Sequence, residues 1–412
     1  MADTNIVILG GNYAGVNTAH YLLKFVLPTL PGNRYKVLLV NPSKDFYHNI
    51  SAPRSLVSTD LLPESKTFFD IAGGFKQYGD KNFVFVHGKA NSVDPSNRSV
   101  AVQLNSGEKQ VIPFHALIIA TGARSQDPVL SFQGDDGQQT RTALVEIRQK
   151  LAKAKSVVVG GGGPAGVEAA GEIAEHFNGK PGWFSKPRRN VQVQLFTGAD
   201  KLLPILRPAI AKRAEDMLRE MGVETTCNTK ITGTEQLPSG KTKVNLSTGK
   251  SIETDVYINA IGTKPSTEFL PREWLNDREQ VNNNSNTLRV DVAGPRVYAV
   301  GDVGAHSRGG MMELFEAVPV LATNLKTDIL SAAGTKPTSS DRTFKANTSE
   351  SQGVTIGQSR AIGAFNGMKV PGIMIWAIKG RDYMYSAAKA QVEGAHWKKE
   401  VAYKALPIKV QG

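Results

Sequence analysis

Cysteine is nearly absent: Cys227 is the only one in 412 residues. One thiol cannot build an internal disulfide framework, which argues against an oxidising compartment. It also cannot form a redox-active pair beside a flavin. Its setting, Val223-Glu224-Thr225-Thr226-Cys227, reads as strand, so a buried thiol acting as a small hydrophobe is expected rather than a reactive one. Long apolar runs are missing too, and none approaches the roughly 20 residues of a membrane helix. A strand begins almost at the N-terminus, with no leader pattern ahead of it. Ala2 stands where myristoylation needs glycine. A cytoplasmic protein is expected. Acidic charge is in deficit, with 37 Asp and Glu against 49 Lys and Arg, a net charge of +12 and a pI near 9.5. The basic residues are scattered and no nucleic-acid motif appears, so nucleic acid is not an expected partner. The excess suits anionic cofactors or an anionic membrane surface. No metal ligands are assigned. A mean hydropathy of −0.24 and a hydrophobic share of 40% fit a globular chain, and the length suits two or three domains.

What the chain does have is glycine, in two fingerprints behind apolar strands. The first is Ile6-Val7-Ile8-Leu9-Gly10-Gly11-Asn12-Tyr13-Ala14-Gly15, and the second is Val157-Val158-Val159-Gly160-Gly161-Gly162-Gly163-Pro164-Ala165-Gly166. Such turns let a pyrophosphate approach backbone N–H groups at a helix N-terminus, where a Cβ would obstruct it. Two of them imply two dinucleotides, most simply a flavin and a nicotinamide. The second satisfies the spacing with Gly161, Gly163 and Gly166. The first departs from it. Asn12 replaces the middle glycine, and is expected to tolerate left-handed backbone. Asn41, at the end of the next strand, replaces the acid that usually holds ribose; an amide can still bond a diol.

The coarse reading is α/β, with two interleaved, doubly wound Rossmann-like domains and a short C-terminal segment. The first unit has strands near 5–10, 36–40, 83–86, 99–104 and 116–122, with a helix to about Phe25. The second has a strand from Ser156, a helix over about Ala165–Ala174, a long basic loop holding Trp183-Phe184, and a strand over 191–196. Val256 to Gly262 repeats the strand-into-glycine pattern of Ala116 to Gly122. The FAD domain is expected over 1–125 and 265–335, and the NAD(P)H domain over 145–262. A linker near Ala333–Ser340 leads to a segment, 341–412, that covers the flavin or touches a membrane.

These residues carry a resemblance. With Ala120-Thr121-Gly122, Gly301-Asp302, Phe46-Tyr47-His48-Asn49 with Arg54, and the tail Trp376-Ala377-Ile378-Lys379-Gly380-Arg381-Asp382-Tyr383, the chain resembles the pyridine-nucleotide–disulfide oxidoreductases. Within them it is similar to the apoptosis-inducing-factor-like, ferroptosis-suppressor-type NAD(P)H:quinone oxidoreductases, which lack the redox disulfide. The resemblance implies FAD at Gly10, Gly11, Asn12, Tyr13, Ala14 and Gly15, with Asn41 and Asn49 beside it. Thr121 and Gly122 would close over the FAD, and Asp302, after Gly301, would accept from the ribityl chain. Lys44 and Arg54 would lie near its phosphates or ring, and Ala90 would offer backbone to adenine. NAD(P)H would lie on Gly161, Gly163, Pro164, Ala165 and Gly166, with Thr197 at the ribose and Ala260 and Gly262 along the nucleotide.

Glu168 would bind the nicotinamide carboxamide at its junction with the flavin; the plainer alternative is a carboxylate complementing a helix N-terminus. Lys379 would stabilise negative charge on the flavin ring, or simply be exposed. His48 would contact flavin or satisfy a loop. Thr197, Gly198 and nearby Lys201 leave no acid against a 2′-phosphate, so NADPH is permitted, with Asp200 a complication. His396 is expected at the surface. The tail mixes aromatics with lysines, which suits packing on the FAD domain or peripheral membrane contact. The expected activity is hydride transfer from NAD(P)H to FAD, then to a small acceptor such as a quinone, by a monomer or homodimer. A flavin oxidase or monooxygenase of a natural-product pathway, and an NAD(P)H-sensing interaction protein, are the alternatives.

Overall fold

The computed structural model describes residues 4–32, 35–180, 189–335 and 340–403. Its largest sheet has seven strands in the order Val297–Ala299, Ala116–Ile119, Thr4–Leu9, Tyr35–Asn41, Phe83–Asp94, Ser99–Leu104, Lys109–Pro113. The first five pair in parallel. Their residues are apolar on both faces because both faces are covered: Ile6, Val7, Ile8, Leu117 and Ile118 are fully buried. A four-stranded parallel sheet follows, in the order Val223–Thr226, Gln192–Phe196, Ser156–Gly160, Val256–Asn259. It carries a three-stranded antiparallel meander over Ile231–Gln236, Thr242–Leu246 and Ser251–Thr254. The two crossings between these regions pair with each other, Ala123–Ser125 against Thr263–Pro265.

The strand read at 83–86 runs on to Asp94, because its first half pairs in parallel and its second half antiparallel. Ala90 therefore sits inside it, at an irregularity between Ala90 and Ser92. The helix read as ending near Ala174 reaches Asn178. Glu175 looks like a polar terminus in the sequence, yet it is buried and accepts the backbone N–H of Gln358 at 2.9 Å. The helix after the first turn runs Tyr13–Tyr21 and widens into a π-turn over Leu22–Val26.

The C-terminal segment straddles both nucleotide units. Its small sheet, Gln352–Ile356, Arg360–Phe365 and Met368–Lys369, lies on the helix Pro164–Asn178. Its last helix, Tyr385–Val392, lies on Tyr13–Tyr21. There Gln391 accepts from Asn17 at 2.8 Å, and His20 donates to the Val392 carbonyl at 2.8 Å. Trp397 is buried and donates to Asn17 at 2.9 Å. His396, expected at the surface, is half-buried in a stack on Phe315. Cys227, expected to be buried, is half-exposed because it lies just past the strand end; what burial it has pushes its pKa up. Trp183-Phe184, the linker residues 336–339 and the chain beyond 403 lie outside the described residues.

Candidate active site

The first glycine turn is closed by its neighbours. Gly10 has φ +105°, and a Cβ there would overlap the Ala120 carbonyl. Its N–H donates to Val40 at 2.9 Å. Gly15 presses on the carbonyl of Gly10, leaving no room for a side chain. Asn12 does not use left-handed backbone. Its φ is −98°, and the positive φ falls on Gly10 instead. Asn12 caps the helix: its Oδ1 accepts from Tyr13 N at 3.0 Å, and its Nδ2 donates to the Tyr47 carbonyl at 3.2 Å. Asn41 is bonded at both ends of its amide, accepting from Gly11 N at 2.8 Å and donating to Ser43 O at 2.6 Å. It shapes the turn as well as facing the ligand space.

That space is a cavity of about 310 Å³. Gly10, Gly11, Asn12, Tyr13, Ala14, Asn41 and Asn49 line it. Ala90, Thr121, Gly122, Gly301 and Asp302 complete the lining, with Thr121 against Gly10 and Gly301 against Ala14. Asp302 opens onto the cavity and is otherwise enclosed by protein, which pushes its pKa up. Thr121 is fixed by donating to Ser266 O at 2.7 Å.

Five residues expected at the FAD, Gly15, Lys44, His48, Arg54 and Lys379, do not line the cavity. Gly15 sits beneath the turn rather than on the cavity wall. Lys44 is exposed and does not line the cavity. Arg54 is buried away from it: its Nε and Nη2 donate to Glu172 at 3.1 and 2.7 Å, and its Nη1 donates to Gly380 O at 2.9 Å. That guanidinium is committed to a carboxylate, not a phosphate. His48 stands behind Tyr13. Burial lowers its pKa to about 4, so the ring is neutral. It accepts from the Tyr13 hydroxyl at 2.5 Å and donates to the Tyr383 carbonyl at 2.7 Å.

The cavity's cations are residues the sequence reading missed, Lys89 and Arg124. Both converge on Gly134, and Arg124 also pairs with Glu268. Position alone hinted at them, Lys89 just before Ala90 and Arg124 two residues after Gly122. Glycine backbone against a helix N-terminus, Lys89 and Arg124, and the Asp302 carboxylate fit the phosphates and hydroxyls of FAD, with Asp135 and the Arg124-paired Glu268 also on the wall.

The second turn repeats the geometry. Gly161 has φ +111°, a Cβ there would overlap the Ala260 carbonyl, and its N–H donates to Phe196 at 2.8 Å. Gly166 presses on the carbonyl of Gly161. Pro164 and Ala165 start the helix. Gly163 differs from Asn12: a Cβ on it would meet nothing within 4 Å. Thr197 is buried against Gly162, and Gly262 is open, with φ +63°. Lys201 is turned away, donating to the carbonyls of Pro204 and Leu206.

Glu168 and Lys379 meet, although 211 residues separate them: Nζ to Oε1 is 2.5 Å, with the side chains 4% and 14% exposed. Thr355 N also donates to Glu168, at 3.0 Å. Beside them Tyr383 donates to Glu172 at 3.0 Å and lies under the Arg54 guanidinium at 4.6 Å. Burial pushes the Glu172 carboxyl up in pKa, against the pull of Arg54. No helix among the described residues is long and apolar enough to cross a membrane, and no cluster of three metal-ligating side chains occurs among them.

Comparisons with known proteins agree with this geometry. The family model described as "Pyridine nucleotide-disulphide oxidoreductase" matches residues 4–320. Oxidoreductase phnG of Penicillium herquei is 41% identical over 408 residues, 96% of this chain and 97% of that protein. Ferroptosis suppressor protein 1 of Mus musculus is 26% identical, covering 93% and 94%. Among solved structures, the sulfide:quinone oxidoreductase from Aquifex aeolicus superposes with a TM-score of 0.71 at 16% identity, over 95% of this chain and 92% of that one.

Proposed function

From the premise that this chain belongs to the pyridine nucleotide-disulphide oxidoreductase family, we propose how its residues divide the work. The chain is an FAD-dependent NAD(P)H oxidoreductase of the quinone-reductase-like branch, passing electrons to a small acceptor. Bound FAD supplies the hydride-accepting and electron-donating chemistry. The first turn, Lys89, Arg124 and Asp302 hold it, and the second turn presents NAD(P)H. Binding both molecules in one chain supplies most of the rate, since hydride transfer needs alignment and no protein base.

Glu168 orients the nicotinamide end, and Lys379, held on Glu168, sets positive charge toward the flavin ring. Tyr13 and neutral His48 tie the flavin turn to the same C-terminal turn through Tyr383. The acceptor is an apolar quinone. The observation that carries this is the exposed apolar face on the helical segment that bears Lys379: Ile373, Met374 and Ile378 are 69%, 53% and 62% exposed. Such a face also suits peripheral contact with a membrane. In an anaerobic stopped-flow test, a quinone should reoxidise the NADPH-treated protein much faster than air does. Faster turnover with dioxygen and a hydroxylated product would overturn the acceptor.

A further inference from the structure

The end of the strand Gln192–Phe196 is where a nucleotide-binding unit meets the adenosine ribose, and so where a 2′-hydroxyl is told from a 2′-phosphate. Here that end is laced to a second stretch of backbone. Thr197 N donates to Thr226 O at 3.0 Å, Thr229 N to Thr197 O at 2.9 Å, and Asn228 N to Ala199 O at 2.9 Å. The lacing delivers Lys230 to Gly198. Its aliphatic stem runs across that glycine so closely that a Cβ there would meet Lys230 Cγ at 2.6 Å, with Cε at 3.4 Å and Cδ at 3.5 Å. Gly198 is thus the residue that lets a lysine cross the ribose position.

The other cations near this end are engaged. Lys201 is spent on the Pro204 and Leu206 carbonyls, and Arg207 is paired with Glu350. The Lys230 ammonium has no partner among the described residues. Thr197, not an acid, fills the position that would repel a phosphate, and its Oγ1 accepts from Ala199 N at 3.2 Å. Asp200 is exposed three residues further on and is not ion-paired with Lys230.

We propose that Lys230 is the specificity-determining residue for the nicotinamide nucleotide, with its ammonium taking the 2′-phosphate and making the enzyme prefer NADPH. This rests on the reading that the second glycine turn binds NAD(P)H. The discrimination is charge-assisted and depends on an exposed lysine, so it should weaken with added salt.

Calorimetric titration of the flavin-loaded protein with NADP⁺ and with NAD⁺ tests it, alongside Lys230→Ala, Lys230→Glu and Lys230→Arg. The parent should bind NADP⁺ more tightly than NAD⁺. Lys230→Ala should weaken NADP⁺ by about 10- to 100-fold while NAD⁺ shifts by far less. Lys230→Glu should weaken NADP⁺ further, and Lys230→Arg should keep most of the preference. A parent that prefers NAD⁺, or a Lys230→Ala variant that loses both nucleotides equally or neither, would overturn the proposal. Binding of neither nucleotide to the parent would overturn the reading of the second turn itself, and the proposal with it.

Discussion

The two glycine turns are the same construction with different middles. Gly10 and Gly161 take nearly the same φ, +105° and +111°, each beneath the carbonyl of an alanine, Ala120 or Ala260, that ends the next parallel strand of its sheet. Gly15 and Gly166 each press on the carbonyl that opens their own turn. Asn41 and Thr197 each pack on the second glycine, Gly11 or Gly162. The difference lies at Asn12 against Gly163. Asn12 caps its helix and ties the turn to Tyr47, whereas Gly163 faces open space. The first turn is knitted into the protein wherever it does not face the cavity, with His48 behind Tyr13. The second is open at Gly163 alone, since Gly161, Gly162 and Gly166 are as closely packed as their counterparts. A resident cofactor suits the first arrangement, and a nucleotide that must come and go suits the second.

The largest effect should come from filling the shared contact. Gly15→Val should abolish flavin content, and Gly166→Val should keep the flavin and abolish nicotinamide nucleotide binding; absorbance and titration separate the two. Flavin at parental occupancy in Gly15→Val would mean that the first turn does not hold it.

Acid should distinguish the turns next. His20, His48 and His306 all have pKa values lowered by burial to about 4. His48 lies behind the first turn, and His20 sits at the far end of the helix that follows it. The unfolded chain binds these protons more readily than the folded one, so stability is complete above about pH 6.5 and drains away as pH falls toward 4. Each ring accounts for up to ~3 kcal/mol. Flavin release, followed by fluorescence from pH 7 to 4, should track the loss of thermal stability, and His48→Asn should flatten part of that slope.

Smaller again is Asn12→Ala. Losing a cap costs about 1 kcal/mol of stability, so thermal stability should fall slightly while the flavin stays bound. Gly163→Ala should be mildest. Its Cβ meets no protein atom, so any loss should appear in nucleotide affinity alone, read by titration.

Much of this site was legible because glycine turns are local: the chain must supply the positive φ and the bare Cα within ten residues, and it does so at Gly10 to Gly15 and Gly161 to Gly166. The strand-into-glycine echo at Gly122 and Gly262 was legible for the same reason. What escaped depended on distant partners. Arg54 looked like a phosphate ligand until Glu172, 118 residues away, claimed it. Lys89 and Arg124 reach the cavity only through the sheet and the paired crossing strands. The helix read as ending near Ala174 runs on because the backbone that satisfies Glu175 lies 183 residues on. Asn12 was assigned a backbone role from its residue type, while the geometry gave it a capping role.

If the reading is right, the two turns hold two dinucleotides on one electron path. Anaerobic mixing of the flavin-loaded protein with stoichiometric NADPH, watched in the flavin absorbance band, tests it most directly. The flavin should bleach rapidly, with one nicotinamide oxidised per flavin, and its colour should return on adding a quinone. A protein that purifies without flavin, or a flavin that neither NADPH nor NADH bleaches, would contradict it.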